Sequence, residues 1–198
     1  ASLDAPELAK QWPSDFRIRC CYSLQTTGLD ARYHVENVGS ELLPCGLGTH
    51  AYFRLPSDVA ANGRCLLQFS AESHWQLDNM LTVGDEATKC ANDRHEQFRA
   101  GIAIRDLQLD DVFSDMVFVN GQATAAIVNQ SAGETMTLTW DHHCDACVVY
   151  IPPHREAICI EPCTLVPGGF GFAGDDEGLQ VLAPGESFEH RLSIVLKG

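Results

Sequence analysis

No stretch of this 198-residue chain approaches the roughly eighteen consecutive apolar residues that a membrane-spanning helix needs. The opening residues 1–11 lack the basic start and apolar stretch of a secretory leader. An initiator Met is also missing, which reads as a processed or trimmed chain. Basic residues are scarce: 13 Lys and Arg stand against 27 Asp and Glu, a formal charge of −14. Such a surface repels phosphate backbones and anionic lipid headgroups, so neither nucleic acid nor a membrane is an expected partner. The acidic residues are scattered, with no block long enough to form an interaction tail, and they serve solubility. Linkers, low-complexity tracts and internal repeats are absent too. At 45% hydrophobic residues the chain can bury one sizeable core, and residues 1–198 read as a single domain.

Cysteine, by contrast, is plentiful. There are nine, an odd number, whereas a secreted disulfide scaffold shows an even count in a shorter chain. Most sit beside apolar residues, as in Cys20-Cys21-Tyr22 and Cys159-Ile160, where a thiol behaves as a small hydrophobe. Reduced thiols and a cytoplasmic setting are expected.

The dominant periodicity is two. Apolar and polar residues alternate from Leu29 to Glu36, as a half-buried strand requires, and Thr26-Thr27-Gly28 joins this run to an earlier one at 16–24. Met136, Leu138 and Trp140 alternate with threonines; Phe188, His190, Leu192, Ile194 and Leu196 alternate after the turn Ala183-Pro184-Gly185. Apolar runs at 65–69, 116–119, 125–128 and 147–151 read as further strands, and only 6–11 suggests a short helix. Many short strands punctuated by Gly, Pro, Asn and Asp predict an all-β protein, an antiparallel sandwich or barrel.

Three segments carry residues suited to chemistry. In Gly46-Leu47-Gly48-Thr49-His50-Ala51-Tyr52-Phe53-Arg54, glycines permit close backbone approach and a His follows with two aromatics behind it. Aromatic faces suit the C–H surfaces of sugars and shield a His from water; a core strand with one hydrogen-bonded His is the plainer alternative. In Ile158-Cys159-Ile160-Glu161-Pro162-Cys163-Thr164, a carboxylate ends an apolar strand just before a Pro that must leave the sheet. Partial desolvation at that rim strengthens Glu161 as a base, unless it simply pairs with an Arg. In Leu109-Asp110-Asp111-Val112-Phe113-Ser114-Asp115, loop carboxylates can hold sugar hydroxyls or form a solvated turn; no calcium-loop spacing is present. A fourth segment, His142-His143-Cys144-Asp145-Ala146-Cys147, has zinc-type ligands, but its second pair would have to be Cys159 and Cys163, which flank Glu161 on a predicted strand.

The first three segments, in that order, resemble the aldose 1-epimerase (galactose mutarotase-like) family. His50-Ala51-Tyr52-Phe53 matches its His-x-Tyr-Phe/Trp motif, Asp110-Asp111-Val112-Phe113 its Asp-x-x-Phe motif, and Glu161-Pro162-Cys163-Thr164 its Glu-Pro-x-Thr motif. Trp12-Pro13, Asn37-Val38-Gly39, Trp75-Gln76-Leu77-Asp78 and Leu182-Ala183-Pro184-Gly185-Glu186 also fit, so the likeness spans nearly the whole chain. It departs at Gly48-Thr49, where Thr-Asn is commoner, and at Leu81-Thr82-Val83-Gly84, which lacks an expected Pro.

The resemblance implies a galactose mutarotase-like β-sandwich without its N-terminal strands, interconverting the α and β anomers of a hexose. His50 would be the general acid at the ring oxygen and Glu161 the general base at the anomeric hydroxyl, facing one another across a single concave site. Asp110, with Tyr52 and Arg54, would bind substrate, Arg54 meeting a phosphate if the hexose carries one. Neither metal nor cofactor is implied. Family enzymes also use an Arg and a second His from an upstream portion, so this chain alone is expected to turn over sugars poorly. It is also expected to expose strand edges and form a homo-oligomer. A non-catalytic carbohydrate-binding module on the same sandwich is the rival function.

Overall fold

The computed structural model describes residues 12–56, 64–78, 81–82, 89–171 and 179–198. The helix expected at 6–11 lies outside the described residues. Within them the chain runs through β1 (Phe16–Gln25), β2 (Gly28–Asn37), β3 (Leu43–Cys45), β4 (Ala51–Arg54), β5 (Cys65–Phe69) and β6 (Ala71–Trp75). Three short strands follow, β7 (Leu77–Asp78), β8 (Leu81–Thr82) and β9 (Lys89–Ala91), then the six-residue helix α1 (His95–Ala100). The remainder is β10 (Ile102–Ala103), β11 (Asp110–Met116), β12 (Gln122–Asn129), β13 (Glu134–Asp141), β14 (Ala146–Tyr150), β15 (Ala157–Cys163), β16 (Gln180–Leu182) and β17 (Ser187–Lys197).

Two sheets dominate. One has the order β1-β2-β17-β13-β12-β5-β10 and the other β4-β15-β14-β11-β6-β9. The pairings within both are antiparallel, as an alternating sequence pattern requires. The main core lies between them. Leu67, Phe69, Ala125, Leu138, Trp140 and Leu192 come from the first sheet; Phe113, Cys147, Val149, Ile158 and Ile160 come from the second. The fold is an antiparallel β-sandwich.

The one turn of helix at α1 seals an end of this core by burying Phe98, whose ring lies 4.4 Å from that of Phe69 and 5.6 Å from that of Phe113. A six-residue helix has little propensity of its own, so this aromatic packing is what holds it.

Two elements differ from the sequence reading. The strand expected at 116–119 meets the structure only at Met116, where β11 ends; β11 starts at Asp110, so Asp110 and Asp111 belong to a strand and not to a loop. Val112, Phe113, Ser114 and Met116 are all buried, because β11 is covered on both faces and shows no alternation. Pro162 does not leave the sheet: it lies inside β15, opposite Cys147 of β14. Its carbonyl accepts from the Thr49 N–H at 3.2 Å. The N–H and C=O of one strand residue point the same way. The missing Pro162 N–H therefore falls on the Thr49 side, beyond the end of β4, and no bond to β14 is lost.

Along β1, both faces are exposed. The side that continues the core face carries Phe16, Ile18, Cys20, Tyr22 and Leu24, opposite Asn37, Val35, Tyr33, Ala31 and Leu29 of β2. Tyr22 is 61% and Leu24 85% exposed, a contiguous apolar strip at the sheet edge.

A polar cluster is buried in the first sheet. His190 of β17 is fully buried, its Nδ1 3.0 Å from Asp141 Oδ1 and its ring stacked on Tyr33 at 5.8 Å. Cys144 Sγ lies 3.6 and 3.5 Å from the two ring nitrogens of His190, so it packs beside the ring and is not aligned on either one. Burial acts to raise the Asp141 pKa, but His190 and the N–H groups of Arg191 and His143 outweigh it and hold the carboxyl below its ordinary value. A depressed folded pKa contributes stability above the unfolded value of about 3.9 that is lost as pH falls through the folded value. Unfolding free energy from urea titrations should therefore decline as pH drops below about 4. Asp141→Asn should lower stability at neutral pH and flatten that decline; an unchanged acid slope would show that Asp141 is not one of the groups responsible.

Candidate active site

The face of the second sheet turned away from the core gathers the three motifs. Its register aligns Tyr52 of β4 with Cys159 of β15, Tyr150 of β14 and Asp110 of β11 in one transverse row. Two residues along, on the same face, Glu161 aligns with Val148, Val112 and Trp75. One step beyond the last β4 pair, Ala51–Ile160, brings His50 opposite Glu161.

The segment ahead of His50 is clamped by the segment that follows Glu161. Leu47 N–H donates to the Thr164 hydroxyl at 2.8 Å, and Thr164 N–H donates back to the Leu47 carbonyl at 2.8 Å. The glycines are required by this closeness. A Cβ on Gly46 would sit 2.9 Å from Leu165 Cβ, and one on Gly48 would sit 3.1 Å from Cys163 Sγ. Thr164 of the third motif is thus a positioning residue, buried to 2% exposure, that sets the first motif in place.

His50 Nδ1 lies 3.5 Å from Glu161 Oε1 and 3.2 Å from Cys159 Sγ. The Cys159 S–H donates to the Ala51 carbonyl at 3.1 Å, so the sulfur has only acceptor capacity left for His50. Nδ1 faces Cys159 and Glu161, and Nε2 is the nitrogen left for solvent or a ligand. Tyr52 stacks on the imidazole at 5.3 Å and 26°.

Exposure within the pair is unequal. The His50 side chain is 64% exposed and that of Glu161 12%, so Glu161 is a buried carboxylate mid-strand and not a rim group. Burial, then the nearby Glu161 carboxylate, push the Cys159 thiol well up. Desolvation, followed by negative charge from groups that include Glu161 and Asp110, raises the Tyr52 phenol. Burial and its neighbour Asp111 raise Asp110.

Asp110 and Asp111 divide by face. Asp111 lies 2.7 Å from His74 Nε2 and accepts the Asp110 N–H at 3.0 Å. Asp110 is left exposed on the outer face, two strand spacings or roughly 10 Å from Cys159. Arg54 stands exposed on the same face of β4 as His50 and Tyr52, opposite Ala157 and at the far end of the strand. The floor of this face is a small apolar cluster of Trp75, Val112, Ala146, Cys163 and Val166, with Trp75 Nε1–H donating to the Ser114 hydroxyl at 2.9 Å.

The two cysteines of the His142–Cys147 segment are drawn into separate surroundings. Cys144 and Cys147 are buried, one beside His190 and the other opposite Phe113 in the core. Among the described residues, the group of three His, Cys, Asp or Glu side chains with ligand atoms within 4.8 Å of one another is His50, Cys159 and Glu161. Tyr150 escaped the sequence reading, and so did the approach of Cys159 to His50. The Cys-x-Glu spacing was the available signal, since residues two apart in a strand share a face.

A depression of about 530 Å³ lies elsewhere, on the outer face of the first sheet among Ser23, Asp30, Arg32, Asp141 and Arg191. Its size does not make it the site, because none of the three motifs reaches it.

The aldose 1-epimerase family model matches residues 2–195. The chain belongs to the aldose 1-epimerase family. Similar folds include a galactose mutarotase-like protein from Clostridium acetobutylicum, with 22% identity, a TM-score of 0.84, and coverage of 100% of this chain and 60% of that one. A galactose mutarotase related enzyme from Lactobacillus acidophilus is 19% identical with a TM-score of 0.76, covering 98% of this chain and 66% of that one. A galactose mutarotase-like protein from Lactobacillus casei is 21% identical with a TM-score of 0.67, covering 98% and 67%. This aldose 1-epimerase family chain thus spans about 60% of the length of the first of these relatives. Among its described residues no helix is long and apolar enough to cross a membrane.

Proposed function

We propose that the protein interconverts the anomers of a hexose, with His50 and Glu161 as its acid and base. The observation that carries this reading is their juxtaposition on one sheet face, 3.5 Å apart although 111 positions separate them in sequence (161 less 50). Anomer exchange needs one proton delivered to the ring oxygen and one removed from the anomeric hydroxyl. Charged His50, held through Nδ1–H, offers Nε2–H to the ring oxygen; Glu161 as carboxylate accepts the hydroxyl proton. The C1–O bond of the ring breaks, leaving an aldehyde, a protonated Glu161 and a neutral His50. After rotation about C1–C2 the ring hydroxyl attacks the other face of the aldehyde, His50 recovers its proton and Glu161 returns its own. No net proton is consumed, as an isomerisation requires.

Tyr52, stacked on His50, offers an aromatic face to the sugar's C–H surface and a phenol O–H that remains a donor. Asp110, across the face, accepts hydroxyl hydrogen bonds. Arg54, at the end of β4, would contact a substituent distant from the anomeric carbon.

Polarimetry tests the reading. A freshly dissolved single anomer of galactose or glucose should reach equilibrium faster with the full natural gene product than with buffer. If the rate is unchanged for each hexose while sugar still alters Tyr52-dependent fluorescence, the binding-module function replaces catalysis.

A further inference from the structure

The same three side chains meet a second chemical requirement. Tetrahedral zinc binds Cys sulfur at about 2.3 Å, His nitrogen at about 2.0–2.1 Å and carboxylate oxygen at about 2.0–2.2 Å. At tetrahedral angles those lengths place sulfur and nitrogen about 3.5 Å apart, and nitrogen and oxygen about 3.4 Å apart. His50 Nδ1 lies 3.2 Å from Cys159 Sγ and 3.5 Å from Glu161 Oε1, with all three ligand atoms within 4.8 Å of one another. The two edges at Nδ1 are therefore within a few tenths of an ångström of a metal triad before any metal binds, and the sulfur-to-oxygen edge lies within 4.8 Å.

We propose that His50, Cys159 and Glu161 form a three-ligand site for a thiophilic divalent cation of the zinc class, and that cation and sugar exclude one another there. Donor chemistry selects the cation: thiolate and imidazole suit zinc, whereas magnesium and calcium require oxygen shells. Binding forms metal–sulfur, metal–nitrogen and metal–oxygen bonds: the thiol proton goes to solvent, ending the Cys159 donation to the Ala51 carbonyl, and His50 binds through Nδ1 as the neutral imidazole with its one remaining proton on Nε2. The backbone supports the triad, since Cys159 and Glu161 are fixed by pairing to β14 and His50 by its approach to β15. Three protein ligands leave the fourth position open on the side where His50 is exposed, the arrangement of reactive zinc centres. The exclusion of sugar rests on the anomerase reading, because the metal would occupy both proton-transfer groups; the binding of the cation does not.

The test is a cobalt titration of chelator-washed protein, followed by absorption. One equivalent of Co²⁺ should produce a thiolate-to-cobalt charge-transfer band with the d–d bands of tetrahedral geometry, and stoichiometric Zn²⁺ should displace both. Cys159→Ser should abolish the charge-transfer band, and Glu161→Gln and His50→Asn should each weaken Co²⁺ binding. The latter two keep the test decisive if the Ser variant fails to fold by circular dichroism. Replacing the exposed Cys20, Cys21 and Cys90 together by Ser should leave the band in place. No band, or one that survives Cys159→Ser or disappears with the three exposed cysteines, would overturn the site. Anomerisation that persists at saturating Zn²⁺ would overturn the exclusion alone; a cobalt site in a protein without anomerase activity would leave the metal site standing and remove the catalytic reading.

Discussion

Glu161→Gln and His50→Asn are each expected to slow hexose anomerisation by at least about a hundredfold, with the fold intact. A positioned acid or base typically contributes about a hundred- to ten-thousand-fold, and each substitution deletes one complete proton-transfer function. Gln keeps the shape of Glu161, which matters because that carboxylate is buried in a central strand. It can still hydrogen-bond, but it cannot accept and return a proton. His50 stands outside the core, so Asn costs little packing. The two losses should not add: once one partner is gone the concerted pair is already broken, and the double variant should be little slower than the worse single one. Polarimetry and thermal melts of the full natural gene product, measured side by side, separate lost chemistry from lost folding. Wild-type rates in both single variants would remove these residues from the mechanism.

The fold was legible where a strand has one face buried and one face wet. β2 and β17 alternate for this reason, and their expected positions agree with the structure within a residue or two. β11 was not, since it is covered on both faces and begins with two aspartates, a residue type depleted in strands. Its start at Asp110 depends on tertiary cover, which no local pattern expresses. α1 was missed because six residues with one buried side chain give no helical period.

Pro162 exposes the limit of a local rule. Proline leaves a ladder only when its N–H would have been needed, and here β4 ends before reaching it. Glu161 consequently lies deeper than a strand-end carboxylate, with more of its environment fixed by β14. The motifs identified which residue types to watch; the register decided which of them share a face. Asp110 and Asp111 illustrate the difference, being chemically identical and adjacent in sequence but committed to opposite faces by the pleat, one open to a ligand and the other paired with His74.

Replacing Asn37 with Ala is expected to destabilise the protein by about 3 kcal/mol or more, given a net worth of about 0.5–1.5 kcal/mol for each hydrogen bond lost. Asn37 is fully buried at the end of β2, and its amide uses all its nearby partners. Nδ2 donates to the Glu41 carbonyl at 2.7 Å and to the Leu182 carbonyl at 2.9 Å. Oδ1 accepts from the Ser14 hydroxyl at 2.9 Å and from Gly39 N–H at 3.1 Å. One side chain thus ties the segment before β1 and the turn after β2 to the β3–β16 pair, beside the buried Val35, Leu43, Leu182 and Phe188. Alanine leaves two carbonyls and a hydroxyl to be satisfied without it, while the Gly39 N–H keeps its second acceptor, the Asp15 carbonyl at 3.0 Å. For a chain of this size about 3 kcal/mol corresponds to a fall in Tm of roughly 6–12 °C. Asn37→Asp is the informative companion, since it retains the acceptor but turns two donors into charge facing carbonyl oxygens. It should be at least as damaging at neutral pH and recover relative to Ala as the carboxyl is protonated and regains a donor. Urea unfolding of the three proteins at pH 7 and near pH 4 measures both effects; an Ala variant within about 1 kcal/mol of the parent would mean that water replaces the amide and that Asn37 is not the tie between these elements.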